Sequence, residues 1–186
     1  MKKILFIATF ILSVVFATNA QEALKKAPKF VSVEMGYRYL PTTTYDIKNQ
    51  GFTLLADYAW QLSGFTGKPA AYLSVPLGYT HLFGSNEASS GGMLSYGWTV
   101  RHELKATGKA IPFIGYGLLL NQLRINDTPG SVFGHQTCLN AGYRFKTGKK
   151  FDLYTKLEYS YARFPHLGSK KSDSMQGVEL KVGVRL

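Results

Sequence analysis

The sequence predicts an all-β fold, an eight-stranded antiparallel up-and-down transmembrane β-barrel preceded by a cleaved signal peptide, and three observations carry that prediction. Thr66-Gly67-Lys68, Thr107-Gly108-Lys109 and Thr147-Gly148-Lys149 repeat one turn at spacings of 41 and 40 residues; a fixed period of that length marks a repeated supersecondary unit. On both sides of each turn apolar and polar residues alternate for roughly ten positions, the length of a tilted membrane-crossing strand. Ahead of them stands a short basic and then apolar segment of the kind that directs export.

Residues 1–20 read as the signal peptide: Lys2 and Lys3 form the basic region, Ile4 to Phe16 the apolar stretch, and Thr18-Asn19-Ala20 a small-residue cleavage site before Gln21. Residues 21–29 form a short N-terminal segment and 30–186 the barrel. Gln21, not Cys, stands directly after the cleavage site, which argues against a lipoprotein anchor. Losing Lys2 and Lys3 lowers the formal charge from +11 to +9. Cys138 is the sole cysteine, so no internal disulfide forms, and a buried thiol is expected.

Strands are predicted near 30–40, 51–62, 70–83, 93–105, 110–124, 134–146, 151–164 and 175–186. Gly supplies the positive φ of a tight reversal, so each Thr-Gly-Lys closes a hairpin. Longer connections alternate with these turns, over Pro41–Gln50, Gly84–Gly92, Asn126–Phe133 and Pro165–Ser174. Short turns at one end and longer loops at the other form the outer-membrane pattern, with turns and termini periplasmic. In the first strand Val31, Val33, Met35, Tyr37 and Tyr39 share one face; in the last, Val178, Leu180, Val182, Val184 and Leu186 do.

Facing decides the class. A soluble barrel puts the apolar face inside, whereas a membrane barrel turns it toward hydrocarbon. Gly36, Gly78, Gly97, Gly115, Gly117, Gly142, Gly177 and Gly183 fall on the polar face, which suits a narrow lumen. Up-and-down threading places Tyr37, Tyr39, Tyr79, Tyr96, Trp98, Tyr159 and Tyr161 toward the loop rim, and Tyr58, Trp60, Tyr143 and Phe145 toward the turn rim. Two aromatic girdles of that kind mark the membrane boundaries. Tyr72, Phe113 and Tyr154 fall inward near the turn end, Leu55 and Leu119 also face inward, and Pro76 inside the third strand predicts a bulge.

The alternating strands and the segment Val-Glu-Leu-Lys-Val-Gly-Val-Arg-Leu, residues 178–186, resemble the small outer-membrane β-barrel proteins of the OmpX and OmpA transmembrane-domain type. The resemblance spans residues 21–186. It implies residence in the outer membrane, contact with outer-membrane lipids and lipopolysaccharide, insertion by the barrel-assembly machinery, and a monomer. Members usually end in an aromatic residue, from which Leu186 departs.

The lumen face collects Glu34, Asp57, Glu103, Glu158 and Glu179 against Arg38, Arg101, Arg144, Lys156, Lys181 and Arg185. An eight-stranded barrel has room for side chains but not for a wide water column, so these charges read as an ion-pair network that plugs it. A narrow ion channel along Arg38, Arg101, Glu103 and Glu158 is a further reading. His135 and Thr137 share the outward face near the loop rim, where a His activating a hydroxyl suits attack on an acyl ester. Lipid A deacylases of the PagL type, with a His-x-Ser-Asn motif, resemble this arrangement, but Thr137 stands where they have Ser, and Asn140 follows three positions after Thr137 instead of directly. His81 and His102 face outward near strand ends, and His166 with Ser169 has no better spacing. No metal-ligand spacing, phosphate loop or nucleic-acid motif occurs, and no cofactor is implied. Basic residues near the turns and the N-terminal segment suit anionic headgroups or a solvated rim alike. Polar loop segments such as Thr42-Thr43-Thr44-Tyr45, Ser89-Ser90-Gly91-Gly92 and Ser169-Lys170-Lys171-Ser172 are the candidate recognition surface and are equally consistent with solvated connections. The leading reading is thus a structural or surface-interaction protein, with the hydrolase as alternative.

Overall fold

Strict alternation in segments rich in Val, Tyr, Leu and Thr gives strands whose two faces differ in chemistry. The computed structural model describes residues 28–43, 49–63, 69–84, 90–105, 108–126, 130–148, 150–165 and 172–186. The expected signal peptide, residues 21–27, the first Thr-Gly-Lys turn, Thr107, Lys149, His166 and most of the loop segments lie outside them. Eight strands follow in order: β1 (Lys29–Thr43), β2 (Gln50–Gln61), β3 (Ala71–Leu82), β4 (Gly91–Glu103), β5 (Ala110–Ile125), β6 (Val132–Lys146), β7 (Asp152–Pro165) and β8 (Ser172–Arg185). Each exceeds the roughly 9–11 residues that a tilted strand needs to cross a bilayer.

Every strand pairs antiparallel with its neighbour, and β8 returns to β1 to close the barrel. The closing seam runs from Ser32↔Arg185 to Tyr39↔Val178, shifts register between Tyr39 and Thr42, and ends at Thr43↔Met175. Leu186 N donates to Val31 O at 2.8 Å, which extends the seam past β8. Closure leaves no edge strand to hydrogen-bond in hydrocarbon. Gly108 and Gly148 carry φ of 77° and 73°, the left-handed conformation that the second and third repeated turns require.

The bulge expected at Pro76 does not form. Pro76 pairs opposite Asp57 on the β2 side, and on the β4 side the register is the same at Ser74↔Thr99 and Leu77↔Tyr96. Only the ladder positions of Val75 and Pro76 toward β4 are missing, so the strand omits pairs where the imide has no donor instead of inserting a residue.

The lumen has three tiers. At the turn end Phe30, Ala59, Ala70 and Tyr72 pack together. Charged side chains fill the middle. At the loop end Leu40, Leu82, Met93, Leu123, Ala162, Phe164 and Met175 form a buried apolar layer, with Ile125 and Val132 against it. The expected polar plug therefore covers only part of the lumen. Outside, the lipid-facing positions are apolar, among them Leu54, Leu77, Ile114, Leu139, Leu157, Leu180 and Val182. A closed barrel with a charged interior and this exterior belongs in a bilayer.

Candidate functional site

In the middle tier β1, β7 and β8 bring six side chains of alternating sign into one chain. Arg38 donates to Glu179 Oε2 from Nη2 at 2.8 Å and from Nε at 3.1 Å. Glu179 lies 3.4 Å from Lys181, and Lys181 Nζ donates to Glu158 Oε1 at 2.9 Å. Glu158 is 3.9 Å from Lys156, which approaches Glu34 Oε2 at 2.7 Å, and Tyr154 Oη donates to Glu34 Oε1 at 2.7 Å. Strand periodicity explains the series: Lys156 and Glu158 face inward on β7, as do Glu179 and Lys181 on β8, and these strands adjoin each other and β1. Three cations balance three anions, so each buried charge has an opposite neighbour.

A second cluster sits at the turn end. Arg144 grips Glu103 through Nε–Oε1 at 2.6 Å and Nη2–Oε2 at 2.8 Å, and reaches Asp152 at 2.5 Å. The two-point grip matches the planar guanidinium to the carboxylate. Arg185 stands 3.9 Å from Glu103 and donates to Tyr72 Oη at 3.3 Å, with its guanidinium 3.8 Å from the Phe30 ring centroid.

Arg101 is held differently. Phe30, Tyr72, Phe113 and Tyr154 come from β1, β3, β5 and β7, and their ring centroids lie 5.0–5.7 Å from its guanidinium carbon. Inward positions of alternate strands converge in one layer, so the four rings surround one cation within cation–π range. Arg101 Nε and Asp57 Oδ1 are buried without a hydrogen-bond partner, and both residues line an internal cavity of about 20 Å³. That is room for about one water between two polar atoms that need one.

The structure thus brings Glu34, Arg38, Lys156, Glu158, Glu179 and Lys181 into one chain and Glu103, Arg144 and Arg185 into another, while Asp57 and Arg101 stand apart. Sequence reasoning missed Asp152, although its inward parity at the start of β7 signals it. It also missed the apolar layer, whose members share the inward parity at the loop ends of their strands.

His135 and Thr137 both face outward on β6. Their ladder neighbours are Leu120 and Arg163 for His135, and Leu118 and Tyr161 for Thr137, none of them acidic. Asn140 is on the lumen face, cut off from both by the sheet. His81 meets Phe83 edge-on at 5.5 Å, and His102 stacks on Tyr116 at 6.1 Å. Among the described residues no group of three His, Cys, Asp or Glu side chains is placed to hold a metal ion.

Tyr37, Tyr39, Tyr58, Tyr79, Tyr96, Trp98, Tyr143, Phe145, Tyr159 and Tyr161 are exposed on the outer wall, and Trp60 is half-buried there. Tyr58 and Trp60 pack edge-to-face at 4.7 Å, and Tyr143 stacks on Phe145 at 6.4 Å, both near the turn rim. Trp98 sits midway down β4, with its ring edge-on to Tyr116 at 6.4 Å, instead of at the loop rim.

No protein-family model matches the sequence, and no curated protein matches it. Among solved structures the chain is similar to Neisserial surface protein A, with TM-score 0.66 and 15% identity over 85% of this chain and 96% of that one. It is similar to the outer membrane enzyme PagL, with TM-score 0.54 and 17% identity over 82% and 97%. It is also similar to Ail, the attachment invasion locus protein of Yersinia pestis, in complex with the heparin analogue sucrose octasulfate, with TM-score 0.51 and 14% identity over 85% and 97%. Identities this low establish the fold, which is that of the small outer-membrane β-barrels.

Proposed function

We propose that this chain is an outer-membrane surface protein, a sealed barrel that presents its loop rim to outside partners and its wall to membrane lipids. One observation carries the reading: the lumen is filled by charged pairs in the middle and by the apolar layer around Leu123 and Phe164 at the loop end. Passage needs continuous water, and an apolar constriction excludes it. This argues against the channel reading and leaves the rim and the lipid-facing wall as the surfaces able to act. The likeness to two proteins described as a surface protein and an attachment invasion locus protein fits this reading.

Under it, residues 1–20 are removed on export, the assembly machinery inserts residues 30–186, and the barrel works as a monomer with lipopolysaccharide around it. The lumen charges serve as filling, and the outward aromatic rings set the barrel's height in the bilayer. The hydrolase alternative draws on the fold shared with PagL and on His135 and Thr137 facing the same way. It lacks an acid to orient the His, and Asn140 faces the wrong side.

Mass spectrometry of lipid A from cells with and without the protein separates the two readings. The surface-protein reading expects identical acyl profiles, with the loops cut by protease added to intact cells. A chain-specific mass loss that disappears in His135→Ala, with the barrel still folded, would replace it with the hydrolase.

A further inference from the structure

On the outer wall at the loop end, β3, β4 and β5 enclose a hollow of about 460 Å³. It exists because β4 starts with Gly91-Gly92. A Cβ on Gly92 would lie 2.5 Å from Tyr79 Oη, so the Tyr79 ring lies over bare backbone. His81 stands beside Tyr79 on β3, and Gln122 and Arg124 form the far side on β5. The frame is tied together: Asn126 Nδ2 donates to Ser90 Oγ at 2.6 Å and Gln122 Nε2 to Ser131 Oγ at 3.1 Å. Arg124 is exposed and has no ion-pair partner among the described residues.

A second hollow of about 300 Å³ adjoins the first one step down the strands, and the two share Tyr79 and Leu94. Its other walls include Val33, Leu54, Ala56 and Leu77, and it is open because the outward side chain of Ala56 is small. The junction lies at Tyr79, among the exposed tyrosines near the loop rim, where such rings mark the bilayer boundary. A cation thus stands on the water side of a boundary ring, and an apolar groove starts on its lipid side. Both volumes are near or within the range of small-molecule sites, about 300–1,000 Å³.

We propose that these joined hollows bind one phosphate-bearing lipid of the outer leaflet, of the lipid A class. The phosphate meets the Arg124 guanidinium, whose planar fork makes charge-assisted bonds to phosphate oxygens. His81 and the Tyr79 hydroxyl offer further polar contacts, and an acyl chain runs down the groove over Ala56. The inference rests on the reading that the barrel acts partly through lipid contacts, and it names where. Arg163, also exposed near the loop end but on β7, donates to Ser172 Oγ at 3.0 Å and lines neither hollow, which makes it the matched control.

The test uses the folded mature barrel in phosphatidylcholine nanodiscs, with lipid A titrated in and retained lipid counted by native mass spectrometry. Arg124→Gln is expected to weaken retention about tenfold or more, the loss that one charge-assisted contact implies. Arg163→Gln leaves it unchanged, and Ala56→Phe, which fills the groove, weakens it while the fold persists. Unchanged binding in Arg124→Gln overturns the proposal. So does equal weakening in both arginine variants, which would be diffuse attraction to a charged rim. Unchanged binding in Ala56→Phe overturns the lipid assignment in favour of a phosphate site alone. Protease access to the loops on intact cells reports separately whether the barrel is in the outer membrane facing outward. A misplaced barrel and an empty site therefore give different results.

Discussion

Glu179 is the joint of the lumen chain, and replacing it tests whether the charges there act as a connected set. Its carboxylate takes two bonds from Arg38, at 2.8 and 3.1 Å, and stands 3.4 Å from Lys181. The Arg38 and Glu179 side chains are only 5% and 1% exposed. Glu179→Leu leaves the buried Arg38 guanidinium without an acid, while Lys181 keeps Glu158 at 2.9 Å. Removing one partner of a buried pair costs about 3–5 kcal/mol. Replacing both by apolar groups of similar volume is often near neutral, so Arg38→Met with Glu179→Leu should return to within about 1–2 kcal/mol of the wild type. The assay is reversible urea unfolding of the barrel in phospholipid vesicles. With a slope of about 2 kcal/mol per M, the single variant should lower the midpoint by roughly 1.5–2.5 M and the double variant should recover most of it. A single variant that shifts the midpoint by less than about 0.5 M, or a double variant at the sum of both singles, would refute the connected-chain argument.

Gly183→Val should lower stability by about 1–3 kcal/mol in the same assay, because a Cβ there would sit 2.5 Å from the Tyr154 ring and displace the hydroxyl that Glu34 accepts from. Cys138 is buried on the lumen side, so a water-soluble maleimide should leave the folded barrel unlabelled and react fully in denaturing urea; prompt labelling of the folded protein would contradict its placement. Planar-bilayer recordings should show no resolved conductance for the wild type or for Arg101→Gln, because the apolar layer above Arg101 is intact in both; discrete openings that change with Arg101 would revive the channel.

The strands were legible because each alternates apolar and polar residues through its membrane-crossing stretch, and two of the repeated turns carry the positive φ that their glycines imply. Which charges meet was not legible. Parity says that Glu34 and Lys156 face inward, but their 2.7 Å contact depends on β7, β8 and β1 being neighbours at a fixed stagger. The cage around Arg101 needs four strands converging at one height, which no local pattern encodes. The apolar layer stayed hidden for a different reason. Leu40, Leu82, Met93, Leu123 and Phe164 obey the inward parity, but apolar residues inside contradict the membrane rule that identified the barrel.

That contradiction resolves if the strands outrun the bilayer. Through the membrane the wall is apolar outside and charged inside. At the loop end Gln50, Gln122, Arg124, Arg163 and Gln176 turn outward while Leu82, Leu123 and Phe164 turn inward, the arrangement of a barrel in water. The hydrophobic effect then drives the top tier together much as it packs a soluble core, and its buried leucines, methionines and phenylalanine hold the strand ends in register. The extra length of β1, β5 and β6, 15, 16 and 15 residues, accommodates this collar. The collar thus gives the described strand ends a packed base beyond the apolar belt. A channel gains nothing from such a seal, and a surface protein gains a fixed platform.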